Sequence, residues 1–332
     1  MLEHGGALRA AVARYGIPLD DWLDLSTGIH PHGWPPPSMI PPVVWQRLPE
    51  PDDGLEAAAA TYYGTPHLLP VAGSQAAIQA LPLLRKTGRV GVLNPSYAEH
   101  AHAWRRAGHQ VELLATDGLD AALDRFDALV IVNPNNPTGV RFPSATLLGW
   151  RERLVARGGW LVVDEAFMDA TPAESLAIHT GLPGLIVLRS LGKFFGLAGA
   201  RVGFVLAEPA LLERMSEHSG PWTVAGPSRW VAKQALVDRT WQEETRLGLA
   251  RFGKRLADLL GRQGLLVAGG TGLFQWVSMP DAAFWQDALA RRGILVRYFA
   301  DPPGLRFGLP GSESAWRRLE LTLAGIRAER LW

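Results

Sequence analysis

A chain of 332 residues, 47% of them hydrophobic, can bury a large core and is too long for one small domain, so two domains are expected. Its 33 basic and 32 acidic side chains leave a formal charge of +1, which carries no nucleic-acid or membrane-surface signature. With no cysteine, disulfides, thiolate catalysis and cysteine metal sites are excluded.

In chain order, Met1 to Val12 mixes Glu3, His4 and Arg9 and holds no apolar core of signal length, and no later run approaches a membrane span. A soluble, cytoplasmic protein is the expectation. Residues 1–49 carry Pro31, Pro35, Pro36, Pro37, Pro41 and Pro42 and read as an N-terminal arm, too proline-rich for one regular helix, that joins the smaller domain. Across residues 50–214, apolar runs at Arg89 to Leu93, Ala128 to Val132, Trp160 to Val163 and Leu185 to Leu188 alternate with helix-length segments such as Ala98 to Arg106 and Ser144 to Ala156. This alternation predicts an α/β large domain with a mostly parallel sheet flanked by helices. Residues 215–332 change character. Helices are expected at Arg229 to Asp238, Trp241 to Leu260, Ala282 to Arg292 and Glu313 to Arg327, with strand candidates at Gly264 to Met279, Gly293 to Phe299 and Gly304 to Leu309: a smaller α+β domain.

The apolar runs end in polar or turn-forming residues: Asn94-Pro95-Ser96-Tyr97, Asn133-Pro134-Asn135-Asn136-Pro137-Thr138-Gly139, Asp164-Glu165, and Ser190-Leu191-Gly192-Lys193. In open α/β sheets ligands sit beyond the carboxyl ends of the strands, so these residues converge on one crevice. Lys193, in a glycine-bearing turn between Ser190 and Arg201, suits an amine that condenses with a phosphorylated aldehyde whose phosphate the hydroxyl and guanidinium hold. Alone, the same residues fit a solvated turn. Gly73-Ser74-Gln75 opens the helix-like stretch Ala76 to Leu84; it is either a backbone cradle for an anion or an ordinary helix start capped by Ser74. Together these segments point to pyridoxal 5'-phosphate.

In order and spacing, this motif set resembles the fold-type I pyridoxal-phosphate enzymes of the aspartate aminotransferase superfamily, class I/II. The resemblance implies that Lys193 carries the cofactor, Asp164 pairs with the protonated pyridine nitrogen, Asn136 donates to the ring's 3′ oxygen and Tyr97 stacks on the ring. Taken singly, Asp164 also reads as a strand-end cap and Tyr97 as a half-buried aromatic. Within the superfamily the chain is most similar to the L-threonine-O-3-phosphate decarboxylases of cobalamin biosynthesis, near relatives of the histidinol-phosphate aminotransferases. Glu3-His4-Gly5-Gly6, Asp24-Leu25-Ser26-Thr27-Gly28-Ile29-His30-Pro31 and Asp164-Glu165-Ala166-Phe167-Met168-Asp169 carry that likeness. It implies a small phosphorylated amino-acid substrate, with His4, Gly28 and Asn136 in its site and Arg306 on its carboxylate, and a homodimer. Arg297 is a second cation for the same tasks, and Arg306 by itself also reads as a solvated strand arginine.

Three positions depart from the family pattern. Gly28 and His30 stand where relatives often carry two asparagines, Leu48 where they carry a tyrosine that reaches the partner subunit's cofactor phosphate, and Phe167 where classical members have tyrosine. His100, His102 and His109 lack acidic partners at metal-ligand spacing; no metal site is expected and these histidines read as structural. Three functions remain open: decarboxylation of L-threonine O-3-phosphate to (R)-1-amino-2-propanol O-2-phosphate, aminotransfer of the histidinol-phosphate type, and a non-catalytic cofactor-binding regulator or scaffold. Regulators of that kind carry an added DNA-binding domain, for which this chain has neither room nor a basic patch.

Overall fold

The computed structural model describes residues 4–330, so Glu3 of the amino-terminal motif lies outside the described residues. The chain divides into two compact units. The larger holds Gly33–Asn136 and Arg141–Glu244; the smaller holds the residues up to His32, Pro137–Val140 and the residues from Thr245 on.

The larger unit is built on seven strands: β1 (Leu68–Val71), β2 (Arg89–Leu93), β3 (Gln110–Leu114), β4 (Ala128–Val132), β5 (Trp160–Asp164), β6 (Leu185–Ser190) and β7 (Gly203–Ala207). Their order is β1-β7-β6-β5-β4-β2-β3, and β7 alone runs antiparallel to its neighbours. β4 and β5 are buried at every position, which is why they read as apolar runs in the sequence, interrupted only by Asp164 at the end of β5. Ala77 and Ile78 of helix Ser74–Ala80 and Ala101, Ala103 and Trp104 of helix Ala98–Arg106 share one core with Val90, Val130, Val162 and Ile186. Three strands escape the sequence pattern for physical reasons. β1 contains Pro70, β3 is an edge strand mixing Gln110 and Glu112 with Val111 and Leu114, and β7 is a short return strand with no parallel crossover helix.

The unit boundary falls within the helix Arg239–Arg262, beyond the sequence expectation at 214. Helices Pro209–Ser219 and Gly226–Val237 find their apolar partners in the larger unit. Leu211 and Met215 join its sheet core, and Gly226–Val237 packs on Leu55–Tyr63, where buried Arg229 forks onto Asp53 and Glu56. The expected arm of residues 1–49 is likewise divided at His32. Trp34 N donates to the Phe195 carbonyl at 2.8 Å and its indole to Asp238 at 3.0 Å, which holds the rest of the arm to the larger unit.

In the smaller unit, β8 (Val267–Thr271), β9 (Phe274–Ser278), β10 (Arg297–Ala300) and β11 (Pro303–Gly308) form an antiparallel sheet in the order β10-β11-β9-β8. The candidate strand Gly264 to Met279 is thus a hairpin. Helices Leu8–Tyr15, Ala282–Ala290 and Glu313–Glu329 complete this unit, and the two-residue strands Leu23–Asp24 and Ile294–Leu295 pair in parallel. Among the described residues no helix is long and apolar enough to cross a membrane.

The carboxyl ends of β5 and β6 are tied by a buried ion cluster. Arg189, one residue before the end of β6, is 1% exposed; its Nη1 donates to Glu165 at 2.5 Å and its Nη2 to Asp169. Glu165 also accepts from Ser175 Oγ at 2.5 Å and Leu176 N at 2.8 Å, Asp169 accepts from Tyr62 Oη at 3.0 Å, and the guanidinium lies 4.8 Å above the Tyr63 ring. Burial pushes Glu165 above the usual carboxylate range, an effect Arg189 only partly offsets. Burial by itself would lower Arg189, and the carboxylates of Asp169 and Glu165 more than reverse that. Truncating one partner of such a cluster strands buried charge, so Arg189→Met should lower the unfolding free energy in urea by about 3–5 kcal/mol. Adding Glu165→Gln and Asp169→Asn to the same chain should restore most of it. An Arg189→Met chain as stable as the parent would show that the cluster does not hold these strand ends.

Candidate active site

Beyond the carboxyl ends of β4, β5 and β6 lies a cavity lined by Ser74, Gln75, Tyr97, Asn136, Asp164, Ser190, Lys193 and Arg201. These are the cofactor-site residues expected from the sequence, apart from Gly73, which sits behind Arg201. Gly73 is buried with φ 76°, and a Cβ there would fall 2.4 Å from Arg201 Nη2. The opposing strand is equally tight: a Cβ on Gly203 would fall 2.5 Å from Ser74 N. Glycine at both positions lets the turn, the start of β7 and the guanidinium close on one another. Ser74 is the first residue of its helix, after Gly73 at the N-cap, so it is not the cap of the helix start and instead lines the cavity. Arg201 holds a left-handed conformation, φ 54° and ψ 51°, and its Nη1 donates to the Ala198 carbonyl at 3.0 Å.

Asp164, the last residue of β5, is 3% exposed. One carboxylate oxygen accepts from Ala166 N at 3.0 Å, the strand-end cap; the other lies 2.9 Å from His100 Nε2, itself buried. The reading of His100 as merely structural is therefore corrected: it orients the site carboxylate. Its signal was the spacing, because Tyr97 and His100 are three apart at the start of one helix and so share a face; their rings meet edge-on at 6.1 Å.

Tyr97 Oη donates to Gln75 Oε1 at 3.2 Å, and Gln75 Nε2 donates to Glu99 at 2.9 Å. The Gln75 side chain thus steadies Tyr97. Burial, followed by the charges of Glu99 and Asp164, pushes the Tyr97 phenol up to about 12, so it stays neutral and its ring is a flat apolar wall. The neighbouring asparagines divide their work. Asn133 binds Phe142 through both backbone groups and Asn135 bridges Ser96 and Pro95, bracing the loop, while Asn136 faces the cavity. Lys193 Nζ stands 5.4 Å from the centroid of the buried Phe167 ring, a hydroxyl-free neighbour.

The remaining expected residues lie in the smaller unit. Arg306 of β11 is 4% exposed, lies 5.3 Å over the Phe274 ring, donates to the Ser26 carbonyl and is paired in register with Arg297 of β10. Burial, and then the charge of Arg297, pulls its guanidinium down to about 9. A solvated strand arginine has neither feature, so that alternative falls. Gly28 adopts φ 62°, His30 is buried, and His4 is exposed at the start of a segment whose Gly6 N donates to Ser26 Oγ at 2.7 Å.

The donor set around Lys193 fits a phosphorylated pyridine aldehyde: an amine, a hydroxyl and a guanidinium packed on a turn that a single Cβ would fill, and a buried carboxylate backed by histidine. The family model for aminotransferase class I and II matches residues 45–321. A threonine-phosphate decarboxylase of Pseudomonas aeruginosa is 59% identical over 327 residues, 98% of each chain. Another, of a Sinorhizobium species, is 43% identical over 333 residues, 97% of this chain and 98% of its own. The crystal structure of histidinol-phosphate aminotransferase from Sinorhizobium meliloti in complex with pyridoxal-5'-phosphate shares the fold, with a TM-score of 0.81 at 20% identity over 99% of this chain and 96% of that one. Fold, cavity and sequence agree: the chain belongs to the aminotransferase class I and II family.

Proposed function

We propose that this chain is a pyridoxal-phosphate-dependent carboxy-lyase that converts L-threonine O-3-phosphate to (R)-1-amino-2-propanol O-2-phosphate and CO2, a step of cobalamin biosynthesis. The observation that carries the reading is the 59% identity to the Pseudomonas decarboxylase through 98% of both chains.

Pyridoxal phosphate, when bound, supplies an electron-withdrawing ring that takes up the electron pair of the bond broken at the substrate's Cα. The chain's own residues do the rest. Lys193 would hold the aldehyde carbon until the substrate amine takes its place, and Ser190, Arg201 and the Gly73-Ser74 turn would hold the phosphate. Asp164, oriented by His100, would face the ring nitrogen, where a carboxylate favours the protonated, electron-withdrawing form of the ring. Asn136 and Tyr97 fix the ring. Arg306 takes the substrate carboxylate, which suits a buried guanidinium whose pKa is lowered until an anion meets it. His4 and Gly28, with Arg297 as a second cation, take the substrate phosphate. Two anchors leave the substrate one orientation, and orientation selects which Cα bond breaks. Lys193 Nζ, freed by the substrate amine, would then deliver the proton that replaces CO2 on Cα.

A cytoplasmic homodimer is part of the same reading. Met39, Trp45 and Leu48, within one short segment, are 79%, 66% and 62% exposed, an apolar stretch that a second copy would cover. Light scattering should find a dimer at assay concentrations, and Trp45→Glu should shift it toward monomer. A monomeric parent protein would contradict the assignment.

The reaction itself is tested with carboxyl-labelled threonine phosphate and with histidinol phosphate plus 2-oxoglutarate. Labelled CO2 and aminopropanol phosphate should dominate, keto-acid formation should be slight, and His4→Ala should slow the phosphorylated substrate more than threonine. Keto acid from histidinol phosphate, with no CO2 from threonine phosphate, would overturn the decarboxylase in favour of the aminotransferase.

A further inference from the structure

Ser26 is a junction. The residue before it is pinned on both sides: Leu25 N donates to the Leu295 carbonyl at 2.8 Å and the Leu25 carbonyl accepts from Gly308 N at 2.7 Å. Ser26 is 2% exposed. Its hydroxyl donates to Asp24 Oδ1 at 2.6 Å, and the same carboxylate oxygen accepts from Ser26 N at 2.8 Å. An ionised carboxylate can only accept, so the single hydroxyl proton points at Asp24 and the oxygen's lone pair is left for Gly6 N, 2.7 Å away. The Ser26 carbonyl, meanwhile, accepts from Arg306 Nη2. That carbonyl is also what the amino-terminal segment rests on: a Cβ on Gly5 would fall 2.4 Å from the Ser26 oxygen and 2.9 Å from its carbon. Gly6 follows at φ 79°, a conformation side chains avoid. The two glycines after His4 therefore have separate reasons. Gly5 permits contact with the carbonyl that holds Arg306, and Gly6 permits the turn that brings its N–H to the hydroxyl.

From this arrangement we infer that Ser26 is a specificity-determining positioning residue, which joins the His4-Gly5-Gly6 segment to Arg306 so that the grips on a substrate's phosphate and carboxylate are set together. The inference rests on the decarboxylase reading above. It accounts for selection of a substrate bearing both anions: one residue holds the His4 segment through its hydroxyl and Arg306 through its carbonyl. Removing the hydroxyl releases the His4 segment and leaves the carbonyl in place. A methyl at position 5 does the opposite, displacing the carbonyl and with it the arginine.

The test measures kcat and KM of the holoenzyme for threonine phosphate and for threonine, by CO2 release, in the parent, Ser26→Ala and Gly5→Ala proteins. Ser26→Ala should lower the ratio of kcat/KM for threonine phosphate over threonine roughly fivefold to tenfold, the loss of about one hydrogen bond's hold, chiefly through KM. Gly5→Ala should instead raise KM for both substrates, because both use Arg306. A purely structural role would lower thermal stability and depress both substrates alike in Ser26→Ala, and that result, or an unchanged ratio, overturns the inference. Should Ser26→Ala fail to fold, Gly5→Ala decides: an unchanged KM for threonine would refute the link to Arg306. A parent protein that releases no CO2 from threonine phosphate refutes the decarboxylase reading, and the inference falls with it.

Discussion

The buried pairing of Arg189 with Glu165 and Asp169 is the constraint on which the active-site geometry depends. Glu165 follows Asp164 directly and Arg189 directly precedes Ser190, so the cluster lies one residue from the carboxylate assigned to the ring nitrogen and from the hydroxyl assigned to the phosphate. Parallel strands are held in register along their length by backbone bonds, but their ends open into loops and have no such restraint. Here the ends are cross-linked by charge-assisted hydrogen bonds inside an apolar core, where they are strong and where breaking one leaves an uncompensated ion. The cluster costs desolvation and in return makes the separation of Asp164 from Lys193 a property of the sheet.

The second restraint acts on the Asp164 carboxylate itself. Asp164 faces His100, which is carried by the helix that begins just after Tyr97, so a single helix start places the ring wall and orients the carboxylate. Tyr97 is in turn braced by Gln75 and Glu99, and the Gly73 turn is closed by Arg201 and Gly203. Side chains locked by partners of their own lose little entropy when a ligand arrives, which is the condition for precise positioning.

The features legible in the sequence were those expressed locally. Buried parallel strands are apolar along most of their length, so β2, β4, β5 and β6 announced themselves, and the polar residues at their ends marked the crevice. Ser190, Lys193, Arg201, Asp164, Asn136 and Tyr97 do line one cavity. What required the fold was contact between distant segments. His100 reaches Asp164 across 64 positions, hinted at only by its spacing from Tyr97, and Arg306 reaches Ser26 across 280 with nothing near it in the sequence to signal its partner. Arg189 was hidden by its position, since an arginine closing an apolar run reads as the strand's solvated end when it is in fact buried. The division between the units was misplaced because helices Pro209–Ser219 and Gly226–Val237 are defined by what they pack against, and amphipathic sequence does not say which surface will cover it.

Lys193 is the residue on which the cofactor assignment turns, and the chain's four lysines make it directly testable. Reduction of the yellow protein with borohydride followed by peptide mapping should place the pyridoxyl label on Lys193 alone. A label on Lys86, Lys233 or Lys254, with Lys193 unmodified, would contradict the assignment.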